Sequence, residues 1–282
     1  ILNTSTTPCA IHSINQHNVL NGVINDDCVE IRGTYYEKVV LEDNVVSPYQ
    51  LAIDHSTNTL FYSYTARDTQ DMFKSAYFDL NTETSGTIYG IKGGFAHAVN
   101  NNNNIVYMGG EDGLYKFDYN TMTATSLYIK ANVNIWQMFY KDGLYFTTFP
   151  EERVYFFKNY EVVKLRELKN IKAMLIAADI NNNLVYFNSS GVFLYERAKG
   201  NTIFLGGVVA VGVTSDRYGN ILFSTVDGIY YVIVALKKVI RVANIDDIRG
   251  IAVDYNGNII YATESRLIPR DPPVWDQFTK ES

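Results

Sequence analysis

The 282-residue chain is 47% hydrophobic, 14% aromatic and 19% charged, a composition that excludes a disordered polymer and gives one large domain or two small ones. Its formal charge of −6, from 24 basic and 30 acidic residues spread without long runs, leaves no electrostatic footprint for nucleic acid or an anionic membrane. The longest apolar stretch, YYVIVAL at 230–236, is far short of the roughly 20 residues needed to span a bilayer.

The N-terminal segment, 1–27, opens at Ile1 with neither an initiator Met nor an apolar signal segment, which predicts a processed mature chain. Cys9 and Cys28 are the two cysteines, and their spacing predicts one disulfide of a secretory compartment, with two reduced buried thiols as the alternative. Asn3 and Asn188 head glycosylation triplets. Together these features predict a secreted, extracellular protein.

From about residue 47 the chain repeats itself. LAIDHSTNTLFYS (51–63), HAVNNNNNIVYMG (97–109), IAADINNNLVYFN (176–188), VTSDRYGNILFST (213–225) and IAVDYNGNIIYAT (251–263) share one pattern. An apolar strand ends in Asp or Asn, a polar turn follows, and a second strand carries two aliphatics and an aromatic. QMFYKDGLYFTT (137–148) is a shorter version. The aligned aromatics Tyr62, Tyr107, Phe146, Tyr186, Phe223 and Tyr261 lie 45, 39, 40, 37 and 38 residues apart. Third strands follow in DGLYKFD, SGVFLYE and DGIYYVI, and fourth segments in TSLYIK, NTIFLGG and KKVIRV.

Four short strands about every 40 residues predict an all-β fold, a six-bladed β-propeller, as one domain with blades from about 47, 92, 132, 171, 208 and 246. The last unit runs out of strand material, so the segment 28–46 is predicted to supply its outer strand and close the ring. The asparagines 100–104 then form the first hairpin turn of the second blade, where Asn accepts left-handed backbone. The repeated acids Asp54, Asp179, Asp216 and Asp254 read as Asx-turn residues at the hairpins rather than as a metal or acid-base set.

The candidate site is the opposite face, built from loops entering first strands and leaving second strands. Tyr49, Tyr64, Phe95, Trp136 and Phe149 are read as stacking walls for a flat conjugated ligand. Gln50, Gln137 and His97 would fix its polar edge, and Arg249 and Arg266 would grip a carboxylate. Glu111, Asp227 and Glu264 are the only acids there, a poor calcium cage. The sequence has no G-x-S-x-G elbow, metalloprotease helix motif, phosphate-binding glycine loop or C-x-x-C. No catalytic residue, metal or cofactor is predicted.

The runs SPYQLAIDHSTNTLFYSYTARDTQDMFKSAYFDL (47–80) and IKGGFAHAVNNNNNIVYMGGEDGLYKFD (91–118) resemble the ommochrome-binding proteins of moth and butterfly haemolymph, and the similarity is clearest from CVEIRGTYYEKVVLED to Asp118. That resemblance implies a secreted carrier of ommochromes, the tryptophan-derived phenoxazinone pigments, acting without turnover. It carries over no site residue. Two other readings stay open: a calcium-dependent lactonase or esterase-type propeller, and an interaction propeller of the yellow and royal-jelly kind.

Overall fold

The computed structural model describes residues 28–31, 34–37, 40–43, 45–66, 71–129, 132–264 and 266–268. Two short strands open it, β1 (Cys28–Ile31) and β2 (Thr34–Glu37), followed by β3 (Glu42–Asp43). The first repeat gives β4 (Tyr49–Asp54), β5 (Thr59–Thr65), β6 (Phe73–Asp79) and β7 (Thr84–Thr87). The second gives β8 (Ala96–Asn100), β9 (Ile105–Gly110), β10 (Gly113–Asp118) and β11 (Thr123–Ser126). The third gives β12 (Ile135–Tyr140), β13 (Leu144–Thr148), β14 (Val154–Lys158) and β15 (Glu161–Lys164), then a 3₁₀ turn at Arg166–Leu168. The fourth gives β16 (Leu175–Ala178), β17 (Leu184–Asn188), β18 (Gly191–Glu196) and β19 (Asn201–Gly206). The fifth gives β20 (Gly212–Ser215), β21 (Ile221–Thr225), β22 (Gly228–Ile233) and β23 (Lys238–Asn244). The last gives β24 (Gly250–Val253), β25 (Ile259–Ala262) and β26 (Arg266–Ile268).

The architecture is an all-β propeller of antiparallel sheets. Five of the sheets are four-stranded, and the β20–β23 sheet is widened to six by β1 and β2 on its outer edge. The first strands β4, β8, β12, β16, β20 and β24 touch in sequence, and β24 returns to β4. Of these inner strands β16 and β24 are wholly buried, each packed between two neighbours near the axis. Outer strands such as β7 and β15 are largely exposed.

Closure differs from the strand predicted over 28–46. Ile31 and Val29 are buried among Val242, Ala243 and Ile245, so the β1–β2 hairpin extends the fifth unit and does not complete the last one. Burial of two branched aliphatics on the free edge of β23 decides that placement. From 28–46, β3 pairs with the last unit through Arg266↔Asp43 and Leu267↔Glu42, and Val45 packs in the cluster that holds Ala252, Ile260 and Ala262. The ring is joined chiefly by packing, with Leu51, Ile53, Leu60 and Tyr62 against Ala252, Ile260 and Ala262. Tyr62 donates its hydroxyl to Glu42 Oε2 at 2.6 Å, and burial together with that carboxylate pushes the phenol pKa far up. Cys9, the predicted partner of Cys28, lies outside the described residues, as does Asn3.

The repeated aromatic has a packing explanation. Phe146, Tyr186 and Phe223 stack on Tyr155, Phe193 and Tyr230, their cross-strand partners, at centroid distances of 5.4, 5.1 and 5.1 Å. In these three sheets an aromatic pair at one height fills the wedge between blades, whereas Tyr62, Tyr107 and Tyr261 face Ala76, Lys116 and Ile268 across the strand.

The turn expectation also matches. Asn58, Asn104, Asp142, Asn182, Gly219 and Gly257, one in each first hairpin, have φ of 56°, 53°, 54°, 62°, 81° and 90°. Only Gly, Asn and Asp adopt that left-handed backbone readily. Asp179 Oδ1 accepts the amides of Asn181 and Asn183 at 2.9 and 2.7 Å, and its Oδ2 accepts Asn183 Nδ2 at 2.9 Å. Asp216 holds Tyr218 and Asn220 the same way, and Asp254 holds Asn258. These carboxylates are buried and spent on their own turns. Asp179→Ala is expected to lower unfolding free energy by about 2–3 kcal/mol, because charge-assisted bonds to a buried turn are lost. A urea midpoint within error of the unsubstituted protein would show the turn holding without its Asx bonds.

Candidate functional site

The loops entering first strands gather aromatic rings on one side of the mouth. Tyr49 at the start of β4 lies 5.9 Å from Phe95 and 6.2 Å from Phe73. Phe73 lies 4.5 Å from Phe95, and Phe95 lies 4.6 Å from Trp136 with the planes 34° apart. Trp136 in turn lies 5.2 Å from Phe149, tilted 30°. Four of the five predicted wall residues therefore form one continuous run across the first three blades. These spacings leave no gap between adjacent rings for a third. At the outer end of the run Trp136 is partly exposed and Phe149 is 48% exposed.

Phe73 was missed because it stands at the start of a third strand, whose preceding loop shares the same face. It closes the loop that leaves β5, and only the first residues of such loops were read as mouth. Tyr64, the fifth wall candidate, is elsewhere. Its ring sits 6.5 Å from Tyr62 and its hydroxyl meets Thr87 Oγ1 at 3.1 Å, against the cluster joining the first and last blades.

The three polar-edge candidates divide. His97 is buried; its Nδ1 faces the Gln50 carbonyl at 3.0 Å and its Nε2 faces Ser75 Oγ at 2.9 Å. A carbonyl only accepts, so Nδ1 carries the proton and Nε2 accepts from the serine. Burial depresses the His97 pKa to about 4, against the smaller opposing pull of the Gln50 carbonyl. Gln137 is buried as well. Its Nε2 donates to the carbonyls of Met138 and Ile176 at 2.9 and 3.2 Å, and its Oε1 accepts the Ile176 amide at 2.9 Å. Both side chains are buried and bonded across to a neighbouring blade, so both are corrected from ligand contacts to ties between blades. Gln50 is half-buried, with φ of 50°, beside the irregular register between Tyr49 and Ala52.

The mouth cations are similarly engaged. Arg249 pairs with Asp247 at 3.0 Å, Lys172 with Glu152 at 3.9 Å, and Lys92 with Glu111 at 3.8 Å. Arg249 is thus not a free carboxylate grip. Arg266 lies in β26, opposite Asp43 in the ladder. Asp227 pairs with Arg241 at 3.3 Å and accepts from Thr225. Among the described residues no three His, Cys, Asp or Glu side chains converge as a metal site. Asn188, at the end of β17, donates to the Lys172 carbonyl at 3.3 Å and accepts the Ser190 amide at 2.9 Å, on the same rim.

A cavity of about 100 Å³ lies on the axis. Its lining runs from Leu51, His97, Met138 and Val213 to His55, Asn101, Tyr140 and Ser215, at the ends of the inner strands on the hairpin face. This is well below the roughly 300 Å³ at which pockets for drug-sized ligands begin. A tricyclic pigment does not fit inside it.

No family model matches the chain. Among solved structures it is similar to a gluconolactonase from Xanthomonas campestris, with a TM-score of 0.67 at 12% identity over 87% of this chain and 96% of that one. It is also similar to a luciferin-regenerating enzyme, with a TM-score of 0.65 at 12% identity over 85% and 95% of the two chains. At that identity the likeness shows the propeller architecture alone. Among the described residues no helix is long and apolar enough to cross a membrane. The chain is 38% identical over 274 residues to the ommochrome-binding protein of Manduca sexta, across 94% of this chain and 97% of that one. An identity of that size over nearly the whole of both chains shows that the chain belongs to the ommochrome-binding protein family.

Proposed function

We propose that this protein binds and carries an ommochrome, a planar phenoxazinone pigment, at the aromatic side of the propeller mouth, without chemical turnover. The observation that carries the reading is the kinship over nearly the whole chain with an ommochrome-binding protein. The aromatic run from Tyr49 through Phe95 and Trp136 to Phe149 supports the placement, because a large π-face offers a conjugated ring dispersion and quadrupole contacts that water cannot match. With His97 and Gln137 committed to the scaffold, the pigment's polar edge falls to Gln50, to backbone groups and to water. Carriage needs no general base or metal. Secretion into an extracellular fluid, the Cys9–Cys28 link and use of Asn188 as a glycan acceptor belong to the same reading of a circulating carrier built on a ring of six repeating units.

Trp136→Ala is expected to weaken ommochrome binding more than tenfold, equivalent to about 1.4 kcal/mol, by removing the ring that links Phe95 to the exposed Phe149. Titration of the pigment's visible band reads the change directly. Unchanged affinity, with an intact far-ultraviolet spectrum, would take the pigment away from this side of the mouth.

A further inference from the structure

We propose that the hairpin face, at the other end of the axis, carries a second binding site for a small planar aromatic carboxylate, with Arg217 as the anion grip and Tyr218 and Tyr255 as the stacking surface. Three observations converge there. The Arg217 guanidinium sits 4.8 Å from the ring centroid of Tyr218 and 5.1 Å from that of Tyr255, and it donates to the Tyr218 hydroxyl at 2.6 Å. Among the described residues it forms no ion pair, whereas Lys92, Lys172 and Arg249 at the mouth each have an acid partner. Asp216, its neighbour in sequence, spends both oxygens on its own turn.

The second observation is exposure. Tyr218 is 50% exposed and Tyr255 57%, and Ile180 beside them on the adjacent hairpin tip is also exposed. Exposed aromatic rings bracketing an unpaired planar cation combine a stacking surface with a bidentate carboxylate fork. The third is continuity with the axial cavity. The Tyr255 ring lies 6.1 Å from that of His55 in an edge contact, and His55, Asn101, Val253 and Ser215 line the cavity behind it. His55 is fixed by its own bonds, its amide to Asn101 Oδ1 at 2.8 Å and its Nε2 facing the Val253 carbonyl at 3.0 Å. The cavity, of about 100 Å³, is a pocket for a short substituent of a ligand held outside it.

This site does not depend on where the pigment binds, and its test separates the two. Quinoline-2-carboxylate serves as the probe, titrated by calorimetry into the full chain, with uncharged quinoline as the control. Saturable binding of the carboxylate is expected, at least tenfold tighter than quinoline. Arg217→Gln is expected to weaken it at least tenfold and Tyr255→Ala several-fold, while Trp136→Ala stays within twofold. Both hairpin-face side chains are exposed, so these variants are expected to fold, which thermal melting verifies. Absence of saturable binding, loss with Trp136→Ala instead, or indifference to Arg217→Gln would each overturn the proposal.

Discussion

Gln137→Met is expected to destabilise the protein by about 3–5 kcal/mol, although the replacement is similar in length and the residue touches no ligand in the proposed site. The reason lies in the free edge of an inner strand. β16 is the innermost strand of its sheet, so its axis-facing side has no neighbour in the ladder. Gln137 supplies one, accepting the Ile176 amide and donating to the Ile176 carbonyl across from the preceding blade. Methionine fills the space but leaves that buried amide and carbonyl, with the Met138 carbonyl, short of partners. Each unsatisfied buried group costs on the order of 1–3 kcal/mol, which dominates the small gain from a more apolar side chain. Guanidinium unfolding monitored by tryptophan fluorescence should show a lower midpoint with an unchanged denaturant slope. A loss below about 1 kcal/mol would mean that water replaces the amide at the axis, and the tie would then be dispensable.

The same device recurs around the channel. His97 reaches the Gln50 carbonyl, His55 the Val253 carbonyl, Asn101 the Ile53 carbonyl and Thr147 the Met174 carbonyl. A propeller converges its strand edges on a narrow axis, and polar side chains from adjacent blades satisfy backbone groups that no further strand can reach. In sequence these residues look like ligand contacts, since they are amides and imidazoles next to a predicted mouth.

That resemblance explains which parts of the molecule could be read in advance. The period was legible in three units because Phe146, Tyr186 and Phe223 stack on their cross-strand partners, so an aromatic is favoured at one height there. The turns were legible because a left-handed position admits few residue types. The aromatic side of the mouth was legible from Tyr49, Phe95, Trp136 and Phe149, large rings at loop ends with no place in the period. The inward or outward direction of Gln137 was not. Strand alternation assigns a face only while the register is unbroken, and the β12–β13 register shifts between Ile135 and Gln137, as β4–β5 does between Tyr49 and Ala52. Nor does a strand-like segment such as Cys28–Glu37 declare which free edge it joins; the burial of Val29 and Ile31 against the fifth unit decides that in three dimensions. Arg217 and Tyr255 escaped notice because hairpin tips carry few packing constraints, and their meeting depends on two blades lying side by side.

The tie at His97 gives the second large effect, and it appears only in acid. Buried between Gln50 and Ser75, the imidazole is held neutral because the charged form would lose its hydration there, a cost that outweighs the opposing pull of the Gln50 carbonyl. Its folded pKa is about 4 against an ordinary 6.5, so between those values the unfolded chain binds a proton that the folded chain does not. Stability therefore rises with pH through that window. The His97 contribution is fully present above pH 6.5 and is lost as pH falls through 4, a change of about 3 kcal/mol from the shift of the pKa. Carboxylates also titrate in acid, so the measurement is a difference of differences: urea unfolding at pH 7.5 and at pH 4 for the unsubstituted protein and for His97→Gln. The variant is expected to be less stable at neutral pH yet to lose about 3 kcal/mol less on acidification. If both proteins lose the same amount, His97 takes up its proton in the folded state as readily as in the unfolded chain, and burial is not what keeps it neutral.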